Sequence, residues 1–150
     1  MEDSEKLRIR LKELFSSQRL AVLSTHSQGQ PYASLVSFVA TDDLRYLLFA
    51  TSRGTRKYAN LAADARAALL IDSRSNRDSD LHQAIAVTAT GTVDELQGPE
   101  RDRLVDLYLA KHPSLDEFVN SPSNALLRLK VETYVMVSRF QNVMVLDLSK

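Results

Sequence analysis

A mainly β fold is what this sequence predicts: an antiparallel barrel, closed or partly closed, with helices on its periphery. Three observations predict it. Seven runs have the length and the β-branched or alternating composition of strands. Most connections between them are short, and no regular βαβ alternation appears, which argues against a parallel sheet. No linker or internal repeat divides the 150 residues, so 1–150 reads as a single domain, long enough for a real core.

The elements follow in order. Residues 4–17 place Leu7, Leu11, Leu14 and Phe15 on one helical stripe. Strands at 20–25 and 32–40 flank the turn Ser27-Gln-Gly-Gln-Pro31, and a third strand at 44–50 follows Thr41-Asp-Asp43. Such tight connections make these three an antiparallel meander. Thr51-Ser52-Arg53-Gly54 breaks the third strand, and Thr55 stands where the N-cap of a helix to about Ala63 belongs. A fourth strand covers 66–71. Asp72–Asp80 has nine polar residues and no apolar one, so it is a surface loop. The long strand 84–96 contains Gly91, which predicts a bulge or a close backbone approach. Gly98-Pro99-Glu100 opens a helix with Leu104, Leu107 and Tyr108 on its apolar face, and His112-Pro113 ends it. Ser114-Leu-Asp-Glu117 has the spacing of a capping box for a short helix ending near Asn120. Strands at 126–137 and 142–148 complete the chain.

Composition narrows the function. Nineteen basic residues balance nineteen acidic ones, so no net field draws the surface onto nucleic acid. The absence of cysteine excludes disulfides, thiolate metal sites and a cysteine nucleophile. A charged N-terminus without an apolar core, and no apolar run near the roughly 20 residues that span a bilayer, make a cytoplasmic protein the expectation, with no membrane partner. His26, His82 and His112 each sit in a turn-like setting and are expected at the surface; no metal-ligand spacing occurs. Neither a nucleophile elbow nor a Gly-x-Gly-x-x-Gly loop is present, and no catalytic residue is identified.

One stretch does carry chemistry. Tyr46–Leu61 runs from a buried strand through two hydroxyl residues and a glycine into a helix that opens on Arg56-Lys57. The first amides of a helix lack internal partners and lie at the positive end of its dipole. With Thr51, Ser52, Thr55, Arg56 and Lys57 beside them, this is a candidate phosphate seat. A phosphate seat without acid–base machinery points to a borrowed cofactor that brings the chemistry.

The segments Gln30-Pro-Tyr-Ala-Ser-Leu-Val-Ser-Phe38, Leu47-Leu-Phe-Ala-Thr-Ser52 and Arg56-Lys57, in that order of elements, resemble the flavin-binding split-barrel superfamily that includes pyridoxamine 5′-phosphate oxidase. The resemblance extends from about residue 10 to 148. It implies a split β-barrel with a six-stranded, Greek-key-like antiparallel core, and a homodimer with FMN at the subunit interface. Alternating apolar positions on both strand faces around 32–39 and 84–93 also suggest a buried dimer interface.

Carried over by position, the resemblance implies that Arg56 and Lys57 hold the FMN phosphate, with Thr51, Ser52 and Thr55 beside it. Ser34, Leu35 and Val36 would line the isoalloxazine edge, and Phe38 and Phe140 would pack near the ring or in the core. The oxidase has charged residues where Ser34 and Val39 stand here. A polar flavin contact expected on the long strand falls near Ala86, and the C-terminal segment lacks the oxidase's basic substrate grip. The expectation is therefore an FMN-dependent oxidoreductase of this family that uses NAD(P)H or another small molecule and is not a pyridoxamine phosphate oxidase. The alternative is a flavin carrier or sensor, or a split barrel without cofactor. Relatives that use a deazaflavin leave that cofactor open, whereas no histidine here is placed as an axial ligand for haem.

Overall fold

The computed structural model describes residues 2–139 and 142–149. Its elements are α1 (Glu2–Ser17), β1 (Leu20–Ser27), β2 (Gln30–Ala40), β3 (Tyr46–Ser52), α2 (Arg56–Ala63), β4 (Arg66–Asp72), α3 (Asp80–Gln83), β5 (Ala86–Glu95), α4 (Gly98–Lys111), a 3-10 turn (Pro113–Leu115), α5 (Asp116–Asn120), β6 (Asn124–Ser138) and β7 (Asn142–Asp147). The strands run in the order β3-β2-β1-β4-β5-β6-β7, and β3 also pairs with β6. Six antiparallel strands therefore close into a barrel, and β7 is added outside the ring. The meander β1–β3 followed by β4 returning beside β1 is the Greek-key arrangement.

β6 makes the closure. Its first half pairs with β3 from Asn124↔Ser52 to Lys130↔Tyr46, and its second half pairs with β7. Along its other edge it meets β5, where the register shifts between Thr90 and Gly91. A Cβ on Gly91 would overlap the carbonyl oxygen of Lys130, so the glycine is required by the close approach expected of it.

Two apolar clusters hold the fold. The barrel interior takes inward residues such as Leu23, Val36, Phe38, Leu69 and Leu129, joined by the α1 stripe Leu7, Leu11, Leu14 and Phe15. The second lies outside the barrel wall, where Val39, Leu48, Ala50 and Leu126 pack against Val105, Tyr108 and Val119 of α4 and α5. β2 and β3 thus have buried side chains on both faces, which is why β3 reads as an unbroken apolar run.

Two expectations are corrected. Ser114 and Glu117 form no capping box: Pro113 starts a 3-10 turn, α5 begins at Asp116, and its N-cap Leu115 makes no side-chain cap. His112 is buried, with Nε2 2.7 Å from the Phe38 carbonyl oxygen and its ring against Tyr108. The polar stretch after β4 is the surface loop expected of it as far as Ser79, where the short helix α3 begins at Asp80, and the Asp80 carboxylate accepts from the amides of Ser75 and Asn76. No helix among the described residues is long and apolar enough to cross a membrane.

Candidate functional site

β2 pairs with β3 only at Phe38, Val39 and Ala40. From Ser37 back toward Gln30 the two strands diverge, and β3 runs on through Ala50, Thr51 and Ser52 into the turn before α2. The barrel is split at this point. A groove of about 330 Å³ lies along the split.

One end of the groove is polar. Thr51, Ser52, Thr55 and Lys57 line it. Thr55 caps α2, its hydroxyl oxygen accepting from the Tyr58 amide at 3.3 Å. The Thr51 and Thr55 hydroxyls lie 3.0 Å apart, and Ser52 Oγ accepts from the Gly54 amide at 3.3 Å. The Arg56 and Lys57 amides occupy the first helical turn, where a helix offers them no internal partner. Lys57 has no ion pair among the described residues. The other end of the groove is apolar or aromatic: Leu35 and Ala50, with Tyr108, Leu115 and Phe118 contributed by α4 and the segment after it. Burial pushes the Tyr108 phenol up to about 12, against a smaller opposing effect from Ser37, so it remains a proton donor at neutral pH.

The turn is pinned from outside. Arg53, one residue beyond β3, donates to the carbonyls of Pro122 (2.7 Å) and Asn124 (2.8 Å) and to the Glu95 carboxylate. Glu95 also accepts from the Tyr58 hydroxyl at 2.8 Å. Arg53 is therefore committed to structure. Burial alone would raise the Glu95 carboxyl, but hydrogen bonds from Tyr58 and Arg53 together hold it below its ordinary value of 4.5. The unfolded chain thus protonates this group at higher pH than the folded chain does. Its stabilisation is complete above the ordinary glutamate range and is lost as pH falls through the depressed value. Glu95→Gln is expected to flatten the acid side of a plot of unfolding free energy against pH, measured by urea titration.

Of the residues singled out in the sequence, Leu35, Thr51, Ser52, Thr55 and Lys57 meet in this groove. Arg56 does not: it lies on another side of α2, with its guanidinium 5.5 Å from the centroid of the Tyr32 ring. Val36 turns into the barrel interior, and Ser34 follows it by strand alternation. The Ser34 hydroxyl oxygen is buried without a hydrogen-bond partner. Neither of these two residues lines the groove. Phe38 is a core residue, edge-on to Phe15 at 5.8 Å. Phe140 lies outside the described residues. Tyr108, Leu115 and Phe118 were missed as site residues. Tyr108 was legible as part of an apolar helix face, but nothing local says that this face ends over the split.

The chain is thus a split antiparallel barrel with a cation, three hydroxyls and a helix N-terminus at its opening. A sequence profile of the pyridoxamine 5′-phosphate oxidase family matches residues 7–138, and the chain belongs to that family. Among solved structures it is similar to a heme binding protein from Mycobacterium smegmatis, with TM-score 0.82 and 20% identity over 97% of this chain. This chain covers only 57% of that protein, a little over half its length. General Stress Protein 26 from Bacillus anthracis gives TM-score 0.71 and 18% identity over 93% of this chain and 98% of its own. A FAD-binding protein from Mesorhizobium loti gives 0.68 and 14% over 85% and 91%. No curated protein matches the chain.

Proposed function

We propose that this protein binds FMN, with the phosphate at Lys57, Thr51, Ser52 and Thr55 and the ring along the divergent edge of β2 near Leu35, and that it acts as an oxidoreductase. The observation that carries the reading is Lys57, a cation that has no ion pair among the described residues and lines the groove beside three hydroxyls. A phosphate monoester matches that donor set, and the aromatic wall beyond it suits a flat ring. The FAD-binding relative from Mesorhizobium loti makes a flavin a reasonable occupant of this fold. A bound flavin supplies the electron transfer; the chain binds it, orients it and keeps water from one face. FMN titrated into the protein is expected to bind at least ~10-fold more tightly than riboflavin, which lacks the phosphate. Anaerobic addition of NADH or NADPH should then bleach the bound flavin. Equal affinity for the two flavins would remove the phosphate seat, whereas tight FMN binding without bleaching by either nicotinamide would favour a carrier or sensor.

The same reading includes a homodimer. Directly paired residues Leu35, Val22, Leu70, Thr88, Val135 and Val145 form one outward row across six strands. Leu35, Val143 and Val145 are each more than half exposed. An apolar face of this extent is unusual on a monomer, and a second copy is the partner that covers it. Because Leu35 belongs to both the row and the groove, the dimer would close over the ring end. Sedimentation is expected to give twice the chain mass, and Val145→Asp is expected to shift it to the monomer and weaken FMN binding. A monomeric wild type at micromolar concentration would refute the shared site.

A further inference from the structure

A basic cluster where α1 and α4 end lies apart from the groove. Lys111, the last residue of α4, donates from Nζ to the Phe15 carbonyl at 2.8 Å and sits 3.9 Å from the centroid of the Phe38 ring. Its charged neighbours are mostly cations. Arg19 follows α1, and Lys12 stands on the adjoining cavity, paired with Asp42 at 3.4 Å. The next residue, His112, is held toward its neutral form, first by burial and then by Lys111 and Arg19, against the Phe38 hydrogen bond. Among the described residues no carboxylate lies within ion-pair distance of Lys111. A half-buried amine without a counter-ion, next to other cations, is driven toward its neutral and nucleophilic state. Burial, with Arg19 adding to it, brings this amine down to about 8. It also borders a cavity of about 290 Å³ with apolar walls from Phe15, Val39, Ala40 and Leu44.

We propose that Lys111 is a site of covalent acylation by small acyl phosphates, the amine taking the acyl group and the cavity beside Phe15 and Leu44 taking its carbon chain. The nitrogen lone pair attacks the acyl carbon and a C–N bond forms. The acyl C–O bond breaks, phosphate leaves with the electron pair, and the surplus proton on nitrogen passes to water. Phosphate departs through the second groove that Lys111 lines, where Arg19 offers it a counter-charge. The amide product keeps one N–H for the Phe15 carbonyl and removes the cation from the face of Phe38.

The full-length protein is treated with acetyl phosphate at pH 8, and acetylation of each lysine is followed by peptide mass spectrometry. Lys111 is expected to react at least ~5-fold faster than Lys12 and Lys130 in the folded protein. Its rate should level off above pH 9, as an amine titrating near 8 requires. The advantage should vanish in urea, and Lys111→Arg should remove the fast site while the other lysines react as before. A Lys111 rate no greater than those of Lys12 and Lys130, or an advantage that survives unfolding, would overturn the proposal.

Discussion

Lys57→Ala is expected to raise the Kd for FMN roughly 10- to 100-fold, while Arg56→Ala changes it less than about 3-fold. A charge-assisted hydrogen bond to phosphate is worth ~1.5–3 kcal/mol, and each 1.4 kcal/mol is tenfold in affinity. Lys57 lines the groove and has no competing ion pair among the described residues, so its whole interaction is available to the ligand. The Arg56 guanidinium instead lies over Tyr32. The double substitution should therefore resemble Lys57→Ala alone. Riboflavin, without a phosphate, should bind weakly to all four proteins. Quenching of flavin fluorescence on titration measures each Kd. A larger loss from Arg56→Ala than from Lys57→Ala would put the anion on the Tyr32 side of α2, away from the groove.

Gly91→Ala is expected to cost at least ~3 kcal/mol, a fall of about 10 °C in Tm for a domain of this size. The added methyl would meet the Lys130 carbonyl, a backbone atom that no rotamer change can move. Gly91 pairs with Val131 at the point where the β5–β6 register shifts. Relief would require that bulge to open, with loss of ladder hydrogen bonds at the seam beside the barrel closure. Calorimetric scans of wild type and variant give the comparison, and Gly54→Ala is the control. A Cβ at Gly54 meets only Ser52 Oγ, at 3.8 Å. An unchanged Tm in Gly91→Ala would mean that the two strands are less tightly joined than the structure describes.

What the sequence disclosed was what neighbours in the chain decide. The meander and the Thr55 cap are local events, each with a residue-type signal, and Gly91 signalled its close approach by residue type although the backbone it meets, at Lys130 on β6, is distant in sequence. The split barrel itself was legible only through resemblance, because closure pairs β3 with β6, more than seventy residues away. Rotation about α2 was not legible: Arg56 and Lys57 are adjacent in sequence, yet one helical step sends them to different surroundings. His112 was misplaced because a proline after it signals a helix end, whereas the Phe38 carbonyl that buries it lies on β2. Ser114-Leu-Asp-Glu117 has capping-box spacing, but the 3-10 turn that starts at Pro113 takes in Ser114 and Leu115, and α5 begins only at Asp116.

The Arg53 guanidinium has a consequence for the order in which the molecule assembles. Its three partners lie 42, 69 and 71 positions further along the chain. Contacts of such span form only after the intervening chain has been brought back, and that loop closure makes them late events in folding. The seat residues are contiguous in sequence, yet the turn that aims them is fixed only once β6 has arrived. A ribosome-bound chain cut before residue 121 would contain every groove hydroxyl and Lys57 and still lack the Pro122 and Asn124 carbonyls that hold the turn. On the proposed FMN reading, loading with cofactor would follow folding, and the nascent chain would gain no ligand-derived stability while it is being made.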